Sequence, residues 1–161
     1  MPFKSVRASV LVVDDDPMMI ELLTTRLELA GYHSCYARNG RDALERISQM
    51  RLAAMVLDIN MPELDGFGVL DHLRGQGRLK SLPTMVLTAR NQTDDIRRAV
   101  ALGARDYLAK PFQDQVFLNR VARLVLRSKP NPAQGAPVPG APDLWGVPTD
   151  LRTKAGKVFD S

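Results

Sequence analysis

The sequence predicts a doubly wound α/β domain, a parallel sheet with helices on both faces, followed by a tail of different character. Three observations carry this. Five short apolar runs alternate with five segments of helical period. Acidic, hydroxyl and amine side chains fall just past those runs, where open α/β sheets hold ligands. The composition then changes abruptly near residue 128.

The strands are expected at 9–13 (SVLVV), 34–37 (SCYA), 53–59 (AAMVLDI), 84–89 (TMVLTA) and 105–109 (RDYLA). Between the first two, PMMIELLTTRLELAG (17–31) has Pro17 at a first helical position and Gly31 as its stop. Its apolar residues Met19, Ile20, Leu23, Leu27 and Ala30 recur at helical spacing. Further helices fit 40–50, 65–75, 93–102 and 113–127. Strands regularly separated by helices form parallel sheets covered on both faces.

The 161 residues suit one domain with a little extra chain, and 45% apolar with 25% charged residues is ordinary globular composition. A single cysteine, Cys35, excludes an intramolecular disulfide framework and a four-cysteine zinc site. No apolar run reaches the roughly 18 residues of a membrane span, and MPFKSVRASV lacks the apolar region of a signal peptide. A cytoplasmic protein with no membrane insertion is therefore expected. The net charge of +4 permits a nucleotide or an acidic protein partner without demanding nucleic acid.

Residues 128–148 hold six of the eleven prolines, so this stretch reads as an extended linker. The expected organisation is a folded domain over 1–127, a Pro/Gly/Ala-rich linker over 128–142 and a short binding tail over 143–161. Nothing after residue 127 reads as a helix-turn-helix, so output by direct DNA binding is not expected.

Chemistry gathers at the carboxyl ends of the strands. Asp14-Asp15-Asp16 follows the first, Asp58-Ile59-Asn60-Met61-Pro62 closes the third, Thr88 ends the fourth and Lys110-Pro111-Phe112 follows the fifth. Taken singly, each has a plain structural role: an Asp at a strand end is commonly a helix cap, Thr88 a turn residue and Lys110 a loop charge. Their joint occurrence on one rim points further. Crowded carboxylates raise one another's pKa unless a cation relieves them. A hard ion such as Mg²⁺ suits such a site and acts beside phosphoryl groups. Phosphoryl transfer needs positioning and charge neutralisation more than covalent chemistry.

These residues resemble the bacterial response-regulator receiver domains of CheY-like type. The resemblance rests on Leu11-Val12-Val13-Asp14-Asp15, Asp58 through Gly66, Leu87-Thr88-Ala89, Gly103-Ala104-Arg105-Asp106-Tyr107 and Lys110-Pro111-Phe112, and covers about residues 8–127. It implies a flavodoxin-like (βα)5 fold. It also implies that Asp58 accepts the phosphoryl group, that Asp15, Asp58 and the Asn60 carbonyl ligate Mg²⁺, and that Asp14 acts through water. Thr88 and Lys110 would grip the phosphoryl oxygens, the Lys110–Pro111 bond would be cis, and Thr88 and Tyr107 would form a switch pair. The implied phosphodonor is a sensor histidine kinase or phosphotransfer protein. Such a domain is a phosphoacceptor that catalyses only its own phosphorylation and dephosphorylation. The output face would include Arg97 and Arg98, with Arg120, Arg123 and Arg127 along one side of the last helix.

Two other classes fit less well. Haloacid-dehalogenase-type phosphatases carry D-x-D-x-[TV], whereas Asp14-Asp15-Asp16-Pro17-Met18 lacks the Thr or Val. A flavin protein of this topology would need a phosphate-cradling loop after the first strand.

The tail holds the only Trp, Trp145, with Asp150, Arg152 and Lys154. An indole can stack on a purine, Arg152 can pair with guanine O6 and N7, Asp150 can accept from guanine N–H groups, and Lys154 can meet phosphate. The tail resembles the C-terminal extension of the CheY-like cyclic di-GMP effectors, the Cle group, which act at the flagellar motor. That resemblance implies cyclic di-GMP as ligand and a flagellar-motor or other output protein as partner. The alternatives are a protein-docking peptide and an inert terminus.

Overall fold

The computed structural model describes residues 6–89 and 93–128, and the linker and tail expectations from residue 129 onward lie outside the described residues. The chain alternates β1 (Ser9–Val13), α1 (Pro17–Leu29), β2 (His33–Ala37), α2 (Gly40–Gln49), β3 (Ala54–Asp58), α3 (Gly66–Gly75), β4 (Thr84–Thr88), α4 (Thr93–Ala101), β5 (Asp106–Ala109) and α5 (Asp114–Arg127). A 3₁₀ turn at Arg78–Lys80, which the periodicity does not reveal, joins α3 to β4. All four strand pairings are parallel, in the order β2-β1-β3-β4-β5.

Strand alternation divides the core in two. Leu11, Val13, Met55, Leu57 and Val86 face one way, against Ala43 and Ile47 of α2, Leu70 and Leu73 of α3 and Ala99 of α4. Val10, Val12, Ala54, Val56, Met85, Leu87 and Leu108 face the other, against Ile20, Leu23 and Leu27 of α1 and Phe117, Val121 and Leu124 of α5. Both faces of β3 are buried along its length, which is why its run contains no polar residue before Asp58.

The helix starts are set locally. Asp16 caps α1, accepting from the Met18 N–H at 3.0 Å, with Pro17 following as the first helical residue. Asn39 caps α2 and Asp65 caps α3 through side-chain oxygens that accept from Asp42 and Gly68. Among the described residues no helix is long and apolar enough to cross a membrane.

Candidate functional site

The side chains just past the strands inherit the strands' alternation. Counting by twos, Val10 and Val12 lead to Asp14, Ala54 and Val56 lead to Asp58, and Leu108 leads to Lys110. All three therefore extend the row that faces α1 and α5. Thr88 follows the opposite row, in step with Val86, and lies one residue beyond the level of Asp58 on the neighbouring strand, because Asp58 pairs with Leu87.

The structure assigns the three consecutive aspartates different work. Asp16 is the helix cap, the plain role. Asp14 is buried at 1% exposure and accepts from the Asp16 N–H at 2.9 Å. Asp15 is exposed. Carboxylate oxygens of Asp14, Asp15 and Asp58 lie within 4.8 Å of one another. The Lys110 ammonium stands among them, 3.1 Å from Asp14 and 3.5 Å from Asp58. The Lys110–Pro111 peptide bond is cis, and the Lys110 N–H donates to the Thr88 carbonyl at 2.7 Å, tying the end of β5 to the end of β4.

Burial is the largest influence on the Asp58 carboxyl and pushes its pKa up, with the Asp14 charge adding to it. Lys110 and the Asn60 N–H, which donates at 3.4 Å, oppose the rise, and Asp15 adds a little to it. The outcome is a pKa of about 6. For Lys110, burial works against the ammonium, but Asp58 and Asp14 outweigh it and hold its pKa above the usual value. One ammonium does not neutralise three carboxylates.

That imbalance is what a small divalent cation corrects. The oxygen-only donor set, its spacing and the raised pKa of Asp58 fit Mg²⁺. A second buried group is also unsatisfied: the Thr88 hydroxyl has no hydrogen-bond partner among the described residues. A buried hydroxyl left without a partner ordinarily costs stability, and a phosphoryl oxygen beside Asp58 would supply one.

Away from the pocket, Tyr107 projects outward at 43% exposure. Arg120 does not stand free with Arg123 and Arg127: its guanidinium pairs with Asp106 at 2.6 Å. Arg105 instead joins Asp106, Arg123 and Arg127 around a shallow pocket. Arg98 lies over the Phe67 ring, 4.1 Å from its centroid, linking α4 to the first turn of α3. Sequence spacing gives no sign of that contact, since the two residues lie on different helices. Trp145, Asp150, Arg152 and Lys154 lie outside the described residues.

An acidic pocket holding one lysine thus lies at the carboxyl edge of a five-stranded parallel sheet, its three carboxylates spaced to share a small cation. Residues 10–122 match the response regulator receiver domain family, and the chain belongs to it. It is similar to the response regulator MprA of Mycobacterium tuberculosis, 43% identical over 124 residues that make up 77% of this chain and 53% of that protein. It is also similar to MprA of Mycobacterium leprae, 39% identical over 148 residues, 92% of this chain and 64% of the relative. The chain thus spans about half to two thirds of the length of these relatives. Among solved structures, the receiver domain of the Francisella response regulator 1452 superimposes with a TM-score of 0.71 at 33% identity, over 76% of this chain and all of that one. The chemotaxis protein CheY4 of Vibrio cholerae gives 0.69 at 31% identity, over 73% of this chain and 98% of that one.

Proposed function

We propose that this receiver domain is phosphorylated on Asp58 in a Mg²⁺-dependent reaction and signals by binding a partner protein. The observation that carries this is the convergence of the Asp14, Asp15 and Asp58 oxygens with the Lys110 ammonium, beside an unpartnered, buried Thr88 hydroxyl. Asp15, Asp58 and the Asn60 carbonyl would hold the ion, with Asp14 acting through a water. When bound, Mg²⁺ neutralises negative charge on the phosphoryl oxygens and the carboxylates. An Asp58 oxygen attacks phosphorus, the bond from phosphorus to the donor breaks, and an aspartyl phosphate remains. Lys110 stabilises the developing charge on one phosphoryl oxygen and Thr88 donates to another. Movement of Thr88 toward the phosphate opens space into which Tyr107 turns from its exposed position, altering the surface of α4, β5 and α5.

The donor is a sensor histidine kinase or phosphotransfer protein. Acetyl phosphate with Mg²⁺ should label the wild-type chain on a single carboxylate, and Asp58→Asn should abolish the label. Persistent acid-stable labelling of that variant would show that another residue is the acceptor.

The output reading rests on sequence. The receiver occupies 1–127, the linker 128–142, and the tail over 143–161 binds cyclic di-GMP through Trp145, Asp150, Arg152 and Lys154, directing the receiver to a motor or other protein. Likeness to a chemotaxis protein favours a binding output. Titration with cyclic di-GMP, followed by Trp145 fluorescence, tests the tail. Arg152→Ala should weaken binding by about 1–3 kcal/mol. If nucleotide leaves the fluorescence unchanged, the tail is a protein-docking peptide or inert.

A further inference from the structure

The segment from Ile59 to Asp65 carries Asn60 out of β3 and returns the chain to α3. Its path is fixed at four points. Ile59 and Met61 are buried. Leu64 packs against the α2/α3 side of the core. At its end, the Gly66 N–H donates to the Ile59 carbonyl at 2.9 Å. Asn60 and Glu63, between the anchors, are exposed, and Glu63 is held at φ 65°, a left-handed conformation that only the surrounding anchors can enforce.

Leu64 is held between two helices at points where neither has a side chain. A Cβ added at Gly40, the first residue of α2, would run into the Leu64 carbonyl oxygen and would come within 2.8 Å of its Cγ and 2.9 Å of its Cβ. A Cβ at Gly68, in the first turn of α3, would collide with one terminal methyl of Leu64 and otherwise meet it only at 3.4 Å. The two encounters differ in kind. At Gly40 the obstacle is partly backbone, which cannot move without moving the whole segment. At Gly68 it is chiefly the end of a flexible side chain.

We propose that Leu64 is a positioning residue for the metal site: seated in the socket formed by Gly40 and Gly68, it fixes the segment that carries the Asn60 carbonyl beside Asp58. The inference rests on the Mg²⁺ site proposed above and adds to it a structural cause four residues from the nearest ligand. Neither Leu64 nor the two glycines belongs to the carboxylate cluster that would hold the ion. Their effect passes through the backbone between Asn60 and Leu64, where only Met61, Pro62 and Glu63 intervene and Met61 is itself buried, so a displaced Leu64 cannot be absorbed within it.

The test is calorimetric Mg²⁺ titration of the full chain at a temperature where circular dichroism shows every variant folded. Leu64→Ala, which empties the socket, should weaken Mg²⁺ binding by about tenfold, the usual scale for residues that orient metal ligands. Leu44→Ala, which truncates another partly buried side chain on the same core, should lower the melting temperature without changing Mg²⁺ affinity. Gly40→Ala should weaken binding as Leu64→Ala does. Gly68→Ala should weaken it less, because a side-chain shift relieves most of the collision. Wild-type Mg²⁺ affinity in a folded but destabilised Leu64→Ala variant would overturn this inference alone, reducing Leu64 to core packing. Absence of Mg²⁺ binding by the wild-type chain would overturn the acidic-pocket reading and this inference with it.

Discussion

Lys110 stands closer to Asp14 than to Asp58: its ammonium donates to Asp14 at 3.1 Å and lies 3.5 Å from the Asp58 carboxylate. In this arrangement the lysine offsets the buried Asp14 and leaves Asp58, the proposed acceptor, only partly compensated. A divalent cation among these oxygens would complete the charge balance that the side chains alone leave unfinished.

Removing the ammonium should therefore harm the metal-free fold as well as the chemistry. Lys110→Met leaves Asp14 buried without its charged partner, which should cost about 2 kcal/mol in metal-free buffer. Mg²⁺ should recover more stability in this variant than in the wild type. Urea unfolding with and without Mg²⁺ measures both. Equal metal-free stabilities would mean that the Lys110–Asp14 contact contributes nothing to the fold.

The pH dependence has a definite sign. Folded Asp58 keeps its proton up to about pH 6, whereas an unperturbed aspartate releases it near 3.8. Between those values the folded protein binds more protons than the unfolded chain. Stability contributed by this group is therefore greatest below about pH 4 and is lost as pH rises through 6. The full loss is on the order of 2–3 kcal/mol. In chelator-containing buffer Asp58→Asn should gain on the wild type across that window, and Mg²⁺ should abolish the gain at neutral pH. A stability difference independent of pH would show that Asp58 is not displaced upward.

Adjacent aspartates should respond oppositely. Asp15→Ala removes one of three crowded carboxylates, so metal-free stability should hold or rise while Mg²⁺ binding weakens and phosphorylation slows. Asp16→Ala removes the cap of α1 and should cost about 1 kcal/mol while leaving Mg²⁺ binding intact. Thermal unfolding paired with Mg²⁺ titration separates the two, and a fall in metal-free stability for Asp15→Ala would mark it as a structural cap.

Glu63 should be improvable. Its left-handed backbone costs about 1–2 kcal/mol for a residue with a Cβ, and the greater freedom of unfolded glycine takes back about 0.4–1 kcal/mol. Glu63→Gly should therefore stabilise by up to about 1.5 kcal/mol, and Glu63→Val, with its branched Cβ, should destabilise. Chemical denaturation of the pair checks the order. The reverse order would mean that the backbone at Glu63 relaxes out of the left-handed region.

The elements of this fold are legible in the sequence because their causes are local. Pro17 and Gly31 bound the first helix, β3 announces its burial by an unbroken apolar run, and every strand and helix falls within two residues of its expected position. The acidic pocket is legible for a related reason: in a parallel sheet every strand's carboxyl end lies on one edge, so Asp14, Asp58, Thr88 and Lys110 must approach once the alternation is known. Other features depend on which elements meet in space, and no local pattern encodes that. Composition and spacing alone do not separate the three consecutive aspartates; the family resemblance assigns Asp14 and Asp15 to the pocket, and the structure adds that Asp16 caps the helix. Sequence spacing reads Arg120 as one of a row of arginines, whereas the nearness of β5 to α5 pairs it with Asp106. The Arg98–Phe67 contact, the unpartnered Thr88 hydroxyl and the seat of Leu64 between Gly40 and Gly68 likewise arise only where separate segments pack together. Residue chemistry and periodicity determine what lies along each strand and helix, and tertiary packing decides which side chain satisfies which, because hydrogen bonds, ion pairs and steric fit act over a few ångströms between atoms that the chain holds tens of residues apart.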